Sequence, residues 1–379
     1  MKVKGIICEL NPLHQGHRYL MDRAMEGEDP ESTCLVAAMS GPFVQRGNPA
    51  ILDKWTRARI AVLEGFDLVL EIPAAYVLQS ARTFAYGGLR TLSLLPGFES
   101  LVFGVEEDFF SPSFQKTLAR PEEDEVQEII REYLRQGLSY RMAVSRSLGL
   151  DLGPNTILAM EYMAMAKKLA LPIRFQAIAR QGMGYHQKEM VGDFPSASAI
   201  RQALVQGLLD KKDLPGGQEI TQNAFTESLD PLASYLDLRD ILDPLDYASS
   251  PLFESGMDFR LKACLDERPG VDEAMMKAAN KRQSASRYRR MLVTSLLGLE
   301  KGKIPPITFL RPLAFNEKGR VLLRSPSCPV IQKLPASNLN GPEKDLMAVN
   351  LRAQALQEYL LGLPPKMDYK QSFFLPSSH

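Results

Sequence analysis

Five short strand-like runs, Val3 to Cys8, Cys34 to Met39, Leu68 to Ile72, Leu101 to Gly104 and Ile173 to Ile178, punctuate the first half of the chain. Between them, near 53–65, 76–94 and 155–169, apolar residues recur at helical spacing. Short strands alternating with longer helices predict βαβ units, hence a parallel sheet covered by helices on both faces. Such a doubly wound α/β domain binds ligands beyond the carboxyl ends of its strands. Residues 108–150 begin acidic, at Glu122, Glu123, Asp124 and Glu125, and continue with helical periodicity, which predicts an inserted helical pair. A helix continues past Arg201 to about Gln206. From Leu214 onward Pro, Gly and Asp break up mostly helical periods, with a short strand signal at Ile307 to Leu310 and a closing helix over Val349 to Leu361. The expected organisation is an α/β domain over 1–210 and a mostly α-helical domain over 211–379.

The junction of the first strand and helix carries the chemistry. Asn11-Pro12-Leu13-His14-Gln15-Gly16-His17 follows the apolar run, and Tyr19, Leu20, Arg23 and Ala24 continue at helical spacing. Free backbone N–H groups and the helix dipole make such a turn an anion site, and two imidazoles three residues apart add donors for charge developing on a phosphate. The plainer alternative is a His pair that only caps the helix. Zinc is disfavoured, because no Cys or acidic cluster with ligand spacing accompanies the pair.

Composition narrows the class. The 379 residues are 45% hydrophobic and 24% charged, as in a folded globular protein of about two domains. The N-terminus has no signal-peptide pattern and no apolar run approaches the roughly 18 residues of a membrane span, so a cytoplasmic protein without a membrane partner is expected. Cys8, Cys34, Cys264 and Cys328 show no CxxC spacing and read as small hydrophobes in a reducing compartment. The net charge is zero, so any nucleic-acid contact must come from a local patch.

The His-x-Gly-His turn in this context resembles the HIGH-type nucleotidyltransferase superfamily. The match extends: Gly5-Ile6-Ile7-Cys8-Glu9 through His17 and Ser40-Gly41-Pro42-Phe43-Val44-Gln45-Arg46-Gly47 resemble the first two blocks of the tRNA(Met) cytidine acetate ligases. Leu70-Glu71-Ile72-Pro73, Phe103-Gly104-Val105-Glu106, Gly153 to Leu158, Gly184-Tyr185-His186, Ser196 to Arg201, Arg287 to Arg290 and Phe315 to Gly319 follow in the family's order. Leu13 stands where the family carries Phe, Gln15 where Asn is common, and Val105 where a Ser follows Phe-Gly.

The resemblance implies an ATP-dependent ligase. Acetate attacks the α-phosphate of ATP, pyrophosphate leaves, and N4 of the wobble cytidine of elongator tRNA(Met) attacks the acetyl-adenylate to give N4-acetylcytidine and AMP. It assigns ATP binding to Ile7, Cys8, Glu9, Asn11, Pro12, His14, Gly16, His17, Leu20, Gly104, Asn155, Arg180, Ser196, Ser198 and Arg201, with His14, His17 and Arg201 as the catalytic set. The strand-end loops bearing these residues should converge on one crevice. Gly104 lets backbone come close, Asn155 offers an amide, and Ser196 and Ser198 with Arg201 open a helix toward the β- and γ-phosphates. A lone Ser-x-Ser there is otherwise ordinary capping. No protein nucleophile is needed, since positioning and charge stabilisation carry such transfers. Mg²⁺ is expected with ATP, without a dedicated metal cage. Asn11, Pro12 and Gly41 to Phe43 are candidates for the acetate pocket by adjacency.

For tRNA the candidates are Lys277, Lys281, Arg282, Arg287, Arg289 and Arg290, six cations in fourteen residues with no acid among them. On a helix, Arg282, Arg289 and Arg290 would share a side. Lys54, Arg57 and Arg59 either extend this track or form the polar face of the helix covering the sheet. An anticodon cytidine, in a single-stranded loop, can be splayed into a pocket without opening a duplex. No protein partner is implied. The alternatives are a small-molecule adenylyl- or cytidylyltransferase, generally a shorter chain, and a non-catalytic RNA-binding protein that retains a nucleotide site.

Overall fold

The computed structural model describes residues 1–106, 109, 111, 114, 116, 124–180, 196–209, 214–217, 227–334, 339–371 and 373–376. The block Gly184-Tyr185-His186 and the acids Glu122 and Glu123 lie outside the described residues.

The five strand-like runs form strands β1 (Lys2–Cys8), β2 (Thr33–Ser40), β3 (Leu68–Ile72), β4 (Phe98–Val105) and β5 (Arg174–Ala179), all parallel. A sixth, β6 (Pro312–Phe315), pairs antiparallel with β3, giving the order β5-β4-β1-β2-β3-β6. The helices up to Val205 are α1 (Gln15–Met25), α2 (Lys54–Leu63), α3 (Ala74–Val77), α4 (Ala81–Ser93), α5 (Asp124–Arg135), α6 (Tyr140–Leu148), α7 (Pro154–Lys168) and α8 (Ala197–Val205). After it come α9 (Ala233–Leu242), α10 (Met257–Asp266), α11 (Val271–Ala278), α12 (Ala285–Leu296), α13 (Glu317–Leu322), α14 (Gly341–Leu361) and α15 (Met367–Lys370).

Every residue of β2 and β3 is buried, as continuous apolar runs require when a sheet is covered on both sides. Alternation divides them: Val36, Ala38, Leu68, Leu70 and Ile72 face the core shared with α4 and α7. Leu35, Ala37, Met39 and Val69 face α1, α2 and α8. The insertion is the expected helical pair, α5 and α6, closed by Val126, Ile130, Val144 and Leu148 around Ile157 of α7. Local chemistry sets the helix ends. Asp53 caps α2 through the amides of Trp55 and Thr56, both at 2.9 Å, and Ser80 and Ser284 cap α4 and α12.

Two expectations change. The strand signal at Ile307 to Leu310 lies just before β6, which starts at Pro312. Proline, expected to flank the strand, is tolerated because Pro312 is the first residue of an edge strand and sits at a register shift in its pairing with β3. The helices expected to stand apart as 211–379 also share the sheet's core: Leu261, Met275, Met291, Leu292 and Leu346 belong to the same cluster as Leu70 and Leu89.

Lys54 and Arg57 occupy neither surface expected of them. The Lys54 ammonium is buried between Glu71, at 2.9 and 3.0 Å, and Asp368, at 2.9 Å. Arg311 meets the other oxygen of Asp368 at 3.1 Å. The two cations and two carboxylates cancel, which is how four charges tolerate an interior. Arg57, also buried, donates to the carbonyls of Leu52 at 3.2 Å, Glu9 at 2.6 Å and Gly41. It ties α2 to the loops after β1 and β2.

Candidate active site

Asn11 to His17 connect β1 to α1 at the carboxyl edge of the sheet. His14 is the N-cap of α1: its Nδ1 accepts from the Gly16 amide at 3.1 Å, while its own amide donates to Nδ1 of His17 at 3.2 Å. The rings lie 3.9 Å apart between centroids. The pair does cap the helix, and the capping reading and the phosphate reading are compatible. With both Nδ1 atoms spent as acceptors, a neutral imidazole carries its proton on Nε2, so each ring keeps an N–H donor. Burial, reinforced by the charges of Arg180 and Arg201, pulls His14 down to about 4. Burial, then His14 and Arg180, holds His17 well below the ordinary histidine value. Both rings are therefore neutral donors at neutral pH.

Gly16 has a specific steric reason. A Cβ there would stand 2.9 Å from Cε1 of His14, so glycine lets the ring fold back over the turn. At position 13 Leu is buried, and Gln15 is exposed, so both departures from the family pattern are accommodated. Val105 is buried in β4 and its carbonyl accepts from the Arg180 amide at 2.9 Å.

Long-range contacts assemble the rest. Arg201 of α8 donates to the Asn11 carbonyl at 2.8 Å and pairs with Glu227. Asn11 Oδ1 accepts from the Ile51 amide at 2.8 Å, and Glu9 Oε1 accepts from the Gln45 amide at 2.6 Å. Burial raises the Glu9 carboxyl, against the opposing pull of the Gln45 amide and of Arg46, Arg201 and Arg57. Ser196 caps α8 through the Ala199 amide at 3.2 Å, with the Ser198 hydroxyl 3.1 Å away. Arg180 is exposed and its aliphatic chain covers Gly104, where a Cβ would be 3.3 Å from its Cγ. The amide of Asn155 contacts Glu106. Ile7 and Cys8 lie in β1, Pro12 is buried beside Asn11, and Leu20 is half-buried on α1. Among the described residues no three His, Cys, Asp or Glu side chains cluster as metal ligands.

The basic segment differs from its sequence reading in two ways. Arg282 precedes α12, so it does not share a helix face with Arg289 and Arg290. The acids missing from the local sequence come from elsewhere in the fold. Lys277 pairs with Glu267 and Glu273, Arg282 and Arg287 with Glu254, and Arg289 with Asp272 at 3.0 Å. Lys281 is exposed. Arg290 instead donates to the Gln45 carbonyl at 3.2 Å, and burial, with Arg287 and Arg46 nearby, lowers it to about 10. Gly47, at φ +87°, packs on the same turn; a Cβ there would be 2.9 Å from the Arg290 amide. The loop after β2 thus joins α12 to Glu9, just after β1. Sequence reasoning passed over Glu106, whose Phe-Gly-Val-Glu block was its signal, and Glu227, which lies in an unmarked stretch.

Two neutral imidazole donors and a helix N-terminus lie near the cations Arg180 and Arg201, an arrangement suited to a polyphosphate. The sequence model of the HIGH Nucleotidyl Transferase family matches residues 1–372. The tRNA(Met) cytidine acetate ligase of Thermoanaerobacter sp. (strain X514) is 32% identical over 383 residues, covering 93% of this chain and 94% of the relative. That of Streptococcus sanguinis (strain SK36) is 36% identical over 328 residues, covering 84% and 85%. Two crystal structures of Thermotoga maritima TmcAL superpose over 99% of this chain and 100% of theirs. The apo form has a TM-score of 0.85 at 26% identity, and the form bound with alpha-thio ATP 0.81 at 25%. The chain therefore belongs to the tRNA(Met) cytidine acetate ligase family of HIGH nucleotidyl transferases.

Proposed function

We propose that this protein activates acetate with ATP and acetylates N4 of the wobble cytidine of elongator tRNA(Met). An acetate oxygen attacks the α-phosphorus, the bond to the bridging oxygen breaks, and pyrophosphate leaves. The cytidine N4 then attacks the acyl carbon, loses a proton, and AMP departs. The observation that carries this reading is the His14–His17 pair, whose locked Nδ1 atoms leave two Nε2–H donors at the N-terminus of α1. Held neutral, the imidazoles stabilise charge on the transferring phosphate by donation rather than as general acids. Arg180 and Arg201 supply positive charge, and Arg201 is aimed by the Asn11 carbonyl. Ile7, Cys8, Glu9, Pro12, Gly16, Leu20 and Gly104 form the backbone-rich wall for the nucleotide, with Asn155, Ser196 and Ser198 as polar contacts. Mg²⁺, if bound, would come with the triphosphate and screen its charge, since no group of three or more His, Cys, Asp or Glu side chains clusters as metal ligands among the described residues.

For the RNA, Arg290 and Lys281 are the two of the six basic residues that face no carboxylate among the described residues; Arg290 adjoins the loop after β2 and so the site, and Lys281 is exposed. Lys277, Arg282, Arg287 and Arg289, each paired with an acid, give a weaker, partly neutralised field. The deciding experiment incubates the protein with tRNA, ATP, Mg²⁺ and isotopically labelled acetate, then measures nucleosides by mass spectrometry. Labelled N4-acetylcytidine is expected. Its absence together with absent acetate-dependent ATP–pyrophosphate exchange would overturn the proposal.

A further inference from the structure

Helix α7 starts without a cap of its own. Gly153 holds the N-cap position with φ −67° and ψ 158°, and it has no side chain to accept from the first free amides. Glu106, immediately after β4 and 47 residues upstream of Gly153, fills that role. One carboxylate oxygen accepts from the Asn155 amide at 3.3 Å and from the Asn155 side-chain nitrogen. The other accepts from the Thr156 amide at 3.1 Å and its hydroxyl at 3.2 Å. A Cβ at position 153 would lie 2.5 Å from the Glu106 carboxyl carbon, so glycine is what admits it.

A carboxylate only accepts. The face of the Asn155 amide turned toward Glu106 must therefore be its nitrogen, and Oδ1 is left pointing away as an acceptor. We infer that Glu106 is a positioning residue that locks Asn155 with its amide oxygen toward the nucleotide, where it accepts from an N–H or O–H donor of the nucleoside. This rests on the reading of Asn155 as a nucleotide contact. The donor is either the exocyclic amine of the base or a ribose hydroxyl, and the two share one requirement: a hydrogen offered to Oδ1. A free asparagine would present either end, and its average contact would be weaker.

The test measures equilibrium binding of ATP, 2′-deoxy-ATP, 3′-deoxy-ATP and purine riboside triphosphate to the full chain, in wild type, Glu106→Gln and Asn155→Ala. Melting temperatures and the kcat of ATP–pyrophosphate exchange are measured alongside. Glutamine keeps the shape of Glu106 but brings a donor, which lets Asn155 turn over. The expected result is about tenfold weaker ATP binding in Glu106→Gln, the scale of one hydrogen bond, with kcat changed less than threefold. The variant should also lose the wild type's preference for ATP over one analogue, and that analogue identifies the donor. Unchanged ATP affinity in Glu106→Gln, while Asn155→Ala weakens it, would overturn the positioning role alone. Equal weakening for every nucleotide with a lower melting temperature would mark a purely structural cap and overturn it too. Unchanged ATP affinity in Asn155→Ala would remove the nucleotide reading of Asn155, and the inference with it.

Discussion

His17 performs two tasks with its two nitrogens, and substitution can separate them. Nδ1 accepts from the His14 amide at 3.2 Å, a half of the reciprocal cap on α1. Nε2 carries the hydrogen assigned to the reacting phosphate. Alanine removes both, so His17→Ala should lose about 1 kcal/mol of stability from the cap and about 3 kcal/mol of transition-state stabilisation, a hundredfold or more in rate. Asparagine places an amide oxygen near the position of Nδ1 but reaches no further. His17→Asn should therefore recover the cap to within a few tenths of a kcal/mol while leaving the rate as low as in the alanine variant. Urea unfolding reads the first quantity and acetate-dependent ATP–pyrophosphate exchange the second. Exchange in His17→Asn within a few fold of wild type would refute the reasoning, because it would leave Nε2 with no role. Loss of stability in both variants alike would refute the tautomer assignment instead.

Three further outcomes follow from the same geometry. Lys54→Met leaves Glu71 and Asp368 facing Arg311 alone, and breaking a buried ion set in this way costs about 3–5 kcal/mol; urea unfolding of a variant that loses under 1 kcal/mol would disprove the quartet's coupling. His14 is lowered in the folded protein to about 4, so its neutral form contributes stability that is present above its unfolded value near 6.5 and is lost as pH falls toward 4. The loss is of order 3 kcal/mol at most by that linkage, and unfolding series from pH 7.5 to 4.5 should show a flatter profile in His14→Gln. Arg290→Gln should weaken tRNA binding and lower the salt slope by roughly one phosphate contact. Lys277→Gln, whose cation already pairs with Glu267 and Glu273, should change little in the same filter-binding assay; the reverse ranking would contradict the assignment.

The sheet was legible in the sequence because buried parallel strands, such as β2 and β3, must be continuous apolar runs, and the edge strand β5 still shows as an alternating apolar and polar stretch. The His turn was legible for a related reason: capping, glycine and the helix start are local, so the residues that decide them are neighbours in the chain. β6 was displaced by a proline rule that holds for central strands and not for an edge. Charge was read least well. Lys54 and Arg57 looked like surface cations, yet their partners Glu71, Asp368 and the Gly41 carbonyl are brought to them only by packing. The basic run from Lys277 to Arg290 looked uncompensated because Glu254, Glu267, Asp272 and Glu273 precede it in sequence and face it in space. Glu106 is the same case seen at the site: a carboxylate 49 residues from Asn155 caps its helix. The sequence by itself determined the periodicities and the local turns, whose energies come from residues a few positions apart. The tertiary structure decided which charges are neutralised, because Coulomb interaction depends on distance through space and on burial, and neither is fixed by order along the chain.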